Sequence, residues 1–325
     1  MKIVITDYTF PDLAIEESLL QAQGHTLVAW KERKTPAELT QLVADADAVI
    51  TQFAPVNAEV IAAMSRAKVI VRYGIGVDNV DLAAARARGI PVCNVPDYCI
   101  DEVADHTLAF ILGLTRQVVS NCVKVRGGTW GLATPLEQMR TLKHLTVGVV
   151  GFGRIGREVI SRLQAFKCRI LVHDPVVPAD AVKSSGCIPA TFAELLAQAD
   201  VLTLHCPSTD QTRGLLNRDS LARTKPGVIV VNLARGDLID PAALTEALTS
   251  GQVGGAALDV FSPEPIPADH PILKLDNVIL ASHIASCSVP AVRKLRETAA
   301  QLAALAVSGH ALPNIVNGVS PKAGS

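Results

Sequence analysis

The sequence predicts an α/β protein with two doubly wound parallel sheets. Short apolar runs rich in β-branched residues alternate with segments of helical spacing along the whole chain, a pattern typical of parallel sheets covered by helices. A strand, a glycine turn and a helix follow one another near residue 150, so a second sheet begins in the middle of the chain. The 325 residues suffice for two domains, each with its own core.

The first half of the chain predicts one compact unit. Its five strands are expected at residues 2–6, 26–30, 48–51, 68–72 and 91–95. Helical spacing lies between them, near 13–23, 36–44, 58–64 and 82–88. A long helix is then predicted from residue 101 to about 126, where Gly127 and Gly128 stop it.

The second half predicts the other sheet. Its strands are expected from residue 145 onwards and at 169–173, 201–205, 228–232, 255–259 and 278–281, with helices near 192–198, 241–250 and 289–307. The last helix can return to the first unit. We therefore predict a discontinuous domain, 1–100 with 290–325, interrupted by a domain at 101–289.

The glycine motif indicates a dinucleotide site. Gly151-Phe-Gly153-Arg-Ile-Gly156 follows a buried-strand pattern and opens a helix. In that context Gly151 permits the tight turn, Gly153 lets the backbone approach a pyrophosphate, and Gly156 lets the helix pack against the strand. The next strand pattern ends in Asp174, at the spacing expected for a carboxylate that binds ribose hydroxyls. Because a carboxylate repels a 2′-phosphate, the cofactor is predicted to be NAD rather than NADP.

The composition excludes several classes of partner. The net charge is −1 and the pI is near 6.7, with no basic run, so nucleic acid and anionic lipid are not expected as partners. No apolar run approaches the ~20 residues of a membrane span. The seven cysteines form no C-x-x-C pair and lie mostly in apolar segments, which favours reduced thiols in the cytoplasm.

Four segments follow predicted strands of the second sheet, where open α/β sheets bind ligands. They are His205-Cys-Pro207, Asn232-Leu-Ala-Arg-Gly236, Asp259-Val-Phe-Ser-Pro-Glu-Pro265 and Ser282-His-Ile-Ala285. Together they bring an arginine, a carboxylate and a histidine to one edge of the sheet. His173 and His205 also end strands and are interpreted as structural.

The order Arg235, Glu264, His283 after the glycine motif resembles the D-isomer-specific 2-hydroxyacid dehydrogenase family. The resemblance covers nearly the whole chain, through Arg72-Tyr-Gly-Ile-Gly-Val-Asp-Asn-Val80, Val95-Pro-Asp-Tyr98 and Glu102-Val-Ala-Asp-His-Thr-Leu108. It implies a Rossmann NAD-binding domain inserted into a flavodoxin-like substrate domain. The implied activity is NAD-dependent interconversion of a D-2-hydroxy acid and a 2-keto acid.

The resemblance also implies roles for the three residues. His283 would exchange the hydroxyl proton, because imidazole titrates near neutral pH. Glu264 would hydrogen-bond the far ring nitrogen, and Arg235 would bind the substrate carboxylate and polarise its carbonyl. Further substrate contacts are expected from Arg72 as a second cation and from the loop at Tyr73, Gly74 and Ile75, through its backbone N–H groups.

The remaining cofactor contacts come from the resemblance as well. They are Thr107, Arg154, Ile155, Cys206, Pro207, Thr212, Leu233, Ala234, Asp259, His283 and Ala285. No metal site is expected, since His, Cys and Asp show no ligand spacing.

A homodimer is expected from the long helix, whose apolar residues cover more than one face. These residues are Val103, Leu108, Phe110, Ile111, Leu112, Leu114, Val118, Val119 and Val123. One domain's core could not easily cover them all.

Two departures from relatives bear on function. Ser286 stands where many relatives carry an aromatic residue, which predicts a more polar or roomier substrate pocket. The chain ends at 325, without the C-terminal regulatory domain of many phosphoglycerate dehydrogenases, so regulation by a distal effector is not expected. Two alternatives stay open: a phosphoglycerate dehydrogenase of the short type, and an NAD-binding regulatory protein similar to the C-terminal-binding proteins.

Overall fold

The computed structural model describes residues 1–319 and divides the chain into two compact units. The first comprises Met1–Tyr98 and Ser288–Ser325, and the second comprises Cys99–Cys287. The predicted domain boundaries, after residues 100 and 289, each lie two residues beyond the boundaries between these units. The predicted end of the first domain, at residue 325, lies outside the described residues.

The first unit contains a five-stranded parallel sheet. Its strands are β1 (Lys2–Ile5), β2 (Thr26–Ala29), β3 (Ala48–Thr51), β4 (Ile70–Arg72) and β5 (Val92–Cys93). The spatial order β2-β1-β3-β4-β5 is that of flavodoxin-like folds. The inner strands are apolar on both faces because helices cover both sides, as all-parallel sheets require.

The helices of this part are α1 (Ala14–Gln21), α2 (Pro36–Val43), α3 (Ala58–Ala63) and α4 (Leu82–Ala87). Three of these helices are capped at their amino ends by side chains. Thr35 forms a capping box with Glu38, and Asn57 and Asp81 each accept an N–H of the first turn. Helices α2, α3 and α4 cover one face of the sheet, with Leu39, Val60 and Ala85 in the core between them.

The second unit opens with α5 (Ile100–Thr115) and α6 (Val118–Arg126), which are bent by 63° relative to each other. The single long helix predicted here is wrong, because Gln117 adopts a left-handed conformation (φ +55°) that ends the first helix. The two helices also differ in how far their side chains are buried. Helix α5 buries most of its apolar side chains within its own unit, whereas α6 buries none among the described residues.

The second unit contains a seven-stranded parallel sheet. Its strands are β6 (Thr146–Val150), β7 (Arg169–His173), β8 (Ile188–Pro189), β9 (Val201–Leu204), β10 (Val228–Asn232), β11 (Val253–Leu258) and β12 (Val278–Leu280). The order is β12-β11-β10-β9-β6-β7-β8. The connections therefore reverse direction between β6 and β9, the position at which doubly wound sheets bind ligands.

The helices of this unit are α7 (Arg154–Ala165), α8 (Ala179–Ser184), α9 (Phe192–Gln198), α10 (Arg218–Ala222) and α11 (Pro241–Ser250). Helices α8 and α10 and the strand β8 are short and were not predicted. The last helix, α12 (Val289–Val307), begins where Ser288 accepts the N–H of Ala291 and packs in the core of the first unit. Both predicted parallel sheets are confirmed, with strand ends displaced by one or two residues.

Within residues 1–319, no single helix combines the length and apolarity needed to cross a membrane. Helices α5 and α6 meet that test only when they are taken together across their bend.

Candidate functional site

The glycine turn after β6 has no room for side chains at two of its three glycines. Gly151 has φ +102°, and a Cβ there would lie 2.7 Å from the carbonyl carbon of His205. A Cβ at Gly156 would lie 2.2 Å from the carbonyl oxygen of Gly151. Gly153 differs, because a Cβ there would meet no described atom within 4 Å. It occupies the N-cap of α7 and lacks a side chain, so the first-turn N–H groups border open space that fits an anion.

Asp174 supplies a fixed negative charge beside this turn. Its Oδ2 accepts the N–H of Phe152 at 2.8 Å, and its Oδ1 accepts those of Val176 and Val177 at 2.9 and 3.1 Å. Partial burial raises the pKa of this carboxyl group, but the three N–H donors outweigh that effect and hold the pKa below its usual range. An ionised carboxylate at this strand end suits ribose hydroxyls and disfavours a phosphate.

The segment after β9 begins with a neutral histidine and a protonated thiol. Burial lowers the pKa of His205 to about 4, and its Nε2 lies 2.9 Å from Oγ1 of Thr203. Burial raises the pKa of the Cys206 thiol to about 11, and the charge of Asp174 adds to that rise. At neutral pH His205 is therefore neutral and the Cys206 thiol is protonated.

His283 and Glu264 form a direct pair. Nδ1 of His283 lies 2.9 Å from Oε2 of Glu264, and each side chain is about a third exposed. Oε1 of Glu264 accepts the N–H of Phe261 at 2.9 Å. Partial burial raises the pKa of Glu264, but the hydrogen bond and charge of His283, the Phe261 N–H and the charge of Arg235 together hold it below its usual range. Glu264 is thus ionised at neutral pH, and its bond engages Nδ1 of the imidazole.

The main chain of His283 is held in a left-handed turn (φ +57°) by Asp259, a residue that is 1% exposed. The His283 N–H donates to the carbonyl oxygen of Asp259 at 2.8 Å. The carboxylate of Asp259 accepts the N–H of Ile284 on one oxygen and that of Ala285 on the other, at 2.8 and 2.9 Å. Both carboxylate oxygens of Asp259 thus stabilise the turn that carries the His283 imidazole.

Arg235 follows β10 in a turn that is fixed on two sides. Asn232 is buried; its Nδ2 donates to the carbonyl oxygen of Arg235 at 2.7 Å and its Oδ1 accepts the N–H of Ala234 at 3.0 Å. A Cβ at Gly236 would lie 2.0 Å from the carbonyl carbon of Phe261, so the turn packs directly on the backbone that binds Glu264. The structure therefore gathers Arg235, Glu264 and His283 within the second unit.

The other predicted cofactor contacts are placed as follows. Thr107 is fully buried on α5, and its hydroxyl donates to the carbonyl oxygen of Val103 at 2.7 Å. The hydroxyl of Thr212 donates to the carbonyl oxygen of Pro207 at 2.7 Å. Leu233 and Ala285 are buried, Ile155 and Ala234 are half-buried, and Arg154 is exposed. Their contacts with a cofactor stay predictions.

The first unit contains Tyr73 and Gly74, for which substrate contacts were predicted. The N–H of Tyr73 donates to the carbonyl oxygen of Thr51 at 2.8 Å, and that of Gly74 donates to the carbonyl oxygen of Arg72 at 2.9 Å. The Tyr73 hydroxyl donates to the buried carboxylate of Glu16 at 2.9 Å. The substrate contacts of Tyr73 and Gly74 stay predictions, and the structure engages both N–H groups with backbone carbonyl oxygens.

Arg72 and Ile75 belong to the same loop. The Arg72 guanidinium folds back over Gly74 (φ +147°), where a Cβ would lie 1.3 Å from its Nη1, and it lies 5.9 Å from the ring centroid of Phe53. The carbonyl oxygen of Ile75 accepts Nδ2 of Asn94 at 2.6 Å. Their substrate contacts stay predictions.

Two residues that hold the site were not predicted. Asn232 fixes the Arg235 turn, and the backbone of Phe261 joins that turn to Glu264. The signal for Asn232 was present in the sequence, as a polar residue that closes an otherwise apolar strand. Phe261 acts through its main chain and carries no such signal.

The fold and this cluster define an α/β protein that combines a glycine turn suited to a dinucleotide with a histidine–glutamate pair. Residues 108–285, more than half of the chain, match the family described as D-isomer specific 2-hydroxyacid dehydrogenase, NAD binding domain. The chain belongs to the D-isomer-specific 2-hydroxyacid dehydrogenase family. Its glycine turn, the amino end of α7 and Asp174 fit the NAD that this domain binds.

Several relatives support this assignment. The D-3-phosphoglycerate dehydrogenase of Mycobacterium leprae is 37% identical over 305 residues, covering 93% of this chain and 57% of the relative. The chain thus spans little more than half the length of that relative. The glyoxylate reductase of Korarchaeum cryptofilum is 36% identical over 308 residues, covering 93% of each chain. The crystal structure of D-lactate dehydrogenase from Aquifex aeolicus, complexed with NAD and lactic acid, superposes with a TM-score of 0.84 at 28% identity, covering 95% of this chain and 96% of that one.

Proposed function

We propose that this chain is an NAD-dependent D-2-hydroxyacid dehydrogenase, which interconverts a D-2-hydroxy acid and a 2-keto acid. The observation that carries the proposal is the 2.9 Å contact between Nδ1 of His283 and Oε2 of Glu264, with Arg235 near enough to lower the pKa of that carboxylate. NAD, when bound, accepts the hydride from the hydroxy acid or, in its reduced form, supplies it to the keto acid.

His283 moves the proton in this scheme. Because Nδ1 is engaged by Glu264, the exchange with substrate oxygen takes place at Nε2. In reduction the imidazolium donates a proton to the keto oxygen as negative charge develops there, and in oxidation the neutral ring accepts the hydroxyl proton. The ionised Glu264 favours the imidazolium and keeps the ring in one orientation.

Arg235 binds the carboxylate that every substrate of this class carries. A guanidinium suits a planar carboxylate because it offers two parallel N–H donors, and it also stabilises charge that develops on the neighbouring carbonyl oxygen. Arg72 of the first unit, a residue that is 9% exposed, is proposed as a second cation for substrate anions.

The test is a substrate panel. NADH consumption is followed with glyoxylate, pyruvate, hydroxypyruvate and 3-phosphohydroxypyruvate, and we expect turnover with at least one of them. The names of the relatives make glyoxylate and 3-phosphohydroxypyruvate the first two to assay. Tight NADH binding without turnover of any keto acid would contradict the proposal and favour a regulatory protein similar to the C-terminal-binding proteins.

We also propose a homodimer that forms through α6 and the residues after it. Val118, Val119 and Val123 are 57, 43 and 66% exposed, and Trp130 is 91% exposed. Leu136 extends this apolar surface, at 68% exposure. We call α6 and the residues up to Leu136 the arm, and its exposed apolar side chains favour association with a second copy.

A reducing compartment, the cytoplasm, is proposed for the protein as well. All seven described cysteines are free thiols, which favours a reducing environment. The localisation of the protein in fractionated cells tests this assignment, and recovery from an oxidising compartment would contradict it.

A further inference from the structure

Asp237 joins the turn of Arg235 to the loop that follows β9, residues 206–216. Its Oδ2 accepts the hydroxyl of Ser208 at 2.6 Å and Nε of Arg213 at 3.2 Å. Its carbonyl oxygen accepts the N–H of Gly214 at 2.8 Å. Its Oδ1 is shielded from solvent and has no hydrogen-bond partner within residues 1–319. One side chain, two positions after Arg235, thus receives two donors from the loop.

The loop begins against the glycine turn. A Cβ at Gly151 would lie 2.7 Å from the carbonyl carbon of His205 and 2.9 Å from the backbone nitrogen of Cys206, the first residue of the loop. Inside the loop, the hydroxyl of Thr212 donates to the carbonyl oxygen of Pro207. This bond closes one turn, and Asp237 attaches the middle of the loop to the rest of the unit.

We propose that Asp237 is a positioning residue for NAD binding, which orders loop 206–216 beside the glycine turn before the cofactor arrives. The inference rests on the proposed function in one respect, that NAD lies between this loop and Asp174. Ordering a loop in advance strengthens binding, because the cofactor does not have to order the loop itself.

The expected effect is on cofactor affinity rather than on turnover. The Arg235 turn keeps its own supports, Asn232 and the backbone of Phe261, when the Asp237 side chain is removed. Once NADH is bound, the cofactor itself holds the loop. We therefore expect KM and Kd for NADH to rise while kcat at saturation stays within about twofold.

The experiment compares Kd for NADH, measured by fluorescence titration, in the wild type, Asp237→Ala, Ser208→Ala and the double variant. We expect Kd to rise about tenfold in Asp237→Ala, which removes the acceptor of both the Ser208 and the Arg213 bonds. Ser208→Ala removes only one of these two bonds to a charged group, and we expect Kd to rise about threefold. The double variant should bind no more weakly than Asp237→Ala alone, because both changes remove the same contact. The matched control is Asp210→Ala, which removes the other carboxylate that pairs with Arg213, at 3.3 Å, and should leave Kd unchanged.

Three results would overturn the inference. They are an unchanged Kd in Asp237→Ala, an equal loss in Asp210→Ala, and fully additive effects in the double variant. A merely structural role would lower Tm and leave Kd at lower temperature unaltered, so thermal unfolding is recorded in parallel. NADH binding is measured without any keto acid; a protein that reduces none of them would refute the proposed reaction, while the comparison of Kd values would still decide the role of Asp237.

Discussion

Asp259 holds the main chain at and directly after His283 through three hydrogen bonds, although 24 positions separate the two residues along the chain. The His283 N–H donates to the Asp259 carbonyl oxygen, and the Asp259 carboxylate accepts the N–H groups of the next two residues. A carboxylate that is 1% exposed thereby holds a left-handed backbone on the residue proposed to transfer the proton. The orientation of the imidazole thus depends on bonds that Asp259 makes to the main chain.

Asp259→Asn should therefore lower both stability and turnover. An amide offers one acceptor where two N–H groups now bind, and an unsatisfied buried N–H costs about 1–3 kcal/mol. We expect a lower Tm and a kcat reduced by roughly tenfold, as the left-handed turn loosens. Thermal unfolding and steady-state kinetics check this, and an unchanged kcat would show that the turn needs only one of the two bonds.

His283→Asn should remove the proton donor and leave the fold intact. The side chain is partly exposed, so its loss costs little packing. We expect kcat to fall by roughly 10²–10⁴-fold, the usual contribution of general acid–base catalysis, while Kd for NADH changes little. Stopped-flow measurement of the chemical step separates this loss from slow product release. Wild-type turnover in the variant would remove His283 from the mechanism.

Asp174 should make the enzyme select NADH over NADPH. A fixed carboxylate at the ribose-binding strand end repels a 2′-phosphate, and juxtaposed like charges cost several kcal/mol, so we expect kcat/KM to favour NADH by roughly a hundredfold or more. Asp174→Asn removes the charge and should reduce that ratio. Asp180→Asn, a change at the exposed Asp180–Lys183 pair, is the control and should leave the ratio as it is. Equal use of both cofactors by the wild type would contradict the assignment.

The arm should hold two copies together. Light scattering at micromolar concentration is expected to give the mass of a dimer. Val123→Asp places a charge on the arm and should shift the protein toward monomer, because an apolar interface does not tolerate an unpaired charge. Val176→Asp alters a valine that is 87% exposed and lies outside the arm, so it should leave the dimer intact. A monomeric wild type would refute the proposal.

Much of the fold could be predicted because parallel sheets leave a strong pattern in sequence. Strands such as β6 and β10 are buried along their whole length and are rich in β-branched residues, and the motif from Gly151 to Gly156 marks where one of them meets a helix. The break at Gln117 could not be predicted, since a left-handed backbone on a residue other than glycine leaves no composition signal.

The proposed site was predictable to the extent that its side chains follow strands. Arg235, Glu264 and His283 all come just after strands that end at one edge of the sheet, which is visible in sequence. The contacts that hold these residues in place involve the main chain, such as the Phe261 N–H that donates to Glu264. Main-chain contacts of this kind leave no pattern in the sequence. For the same reason the sequence could not show that the Tyr73 and Gly74 N–H groups donate to backbone carbonyl oxygens in the folded chain.

Glu264→Gln should change the pH dependence of the reaction in opposite ways for its two directions. In the wild type the pKa of Glu264 lies below its usual range, so the carboxylate is charged throughout the neutral region and favours a protonated His283. The amide can keep a hydrogen bond to Nδ1 but carries no charge, so the imidazolium loses support. Reduction, which requires the protonated ring, should then fail at a lower pH than in the wild type. Oxidation, which requires the neutral ring, should gain activity toward acid pH.

Stability supplies an independent check on the same pair. A carboxyl group whose folded pKa is depressed stabilises the fold above its unfolded pKa, about 4.3 for glutamate, and that contribution is lost as pH falls through the folded value. The Tm advantage of the wild type over Glu264→Gln should therefore be present at neutral pH and shrink as the pH falls below about 4. Profiles of kcat/KM in both directions, recorded with Tm across the same pH range, test both expectations. Superimposable profiles for the two proteins in both directions would mean that Glu264 does not govern the protonation of His283.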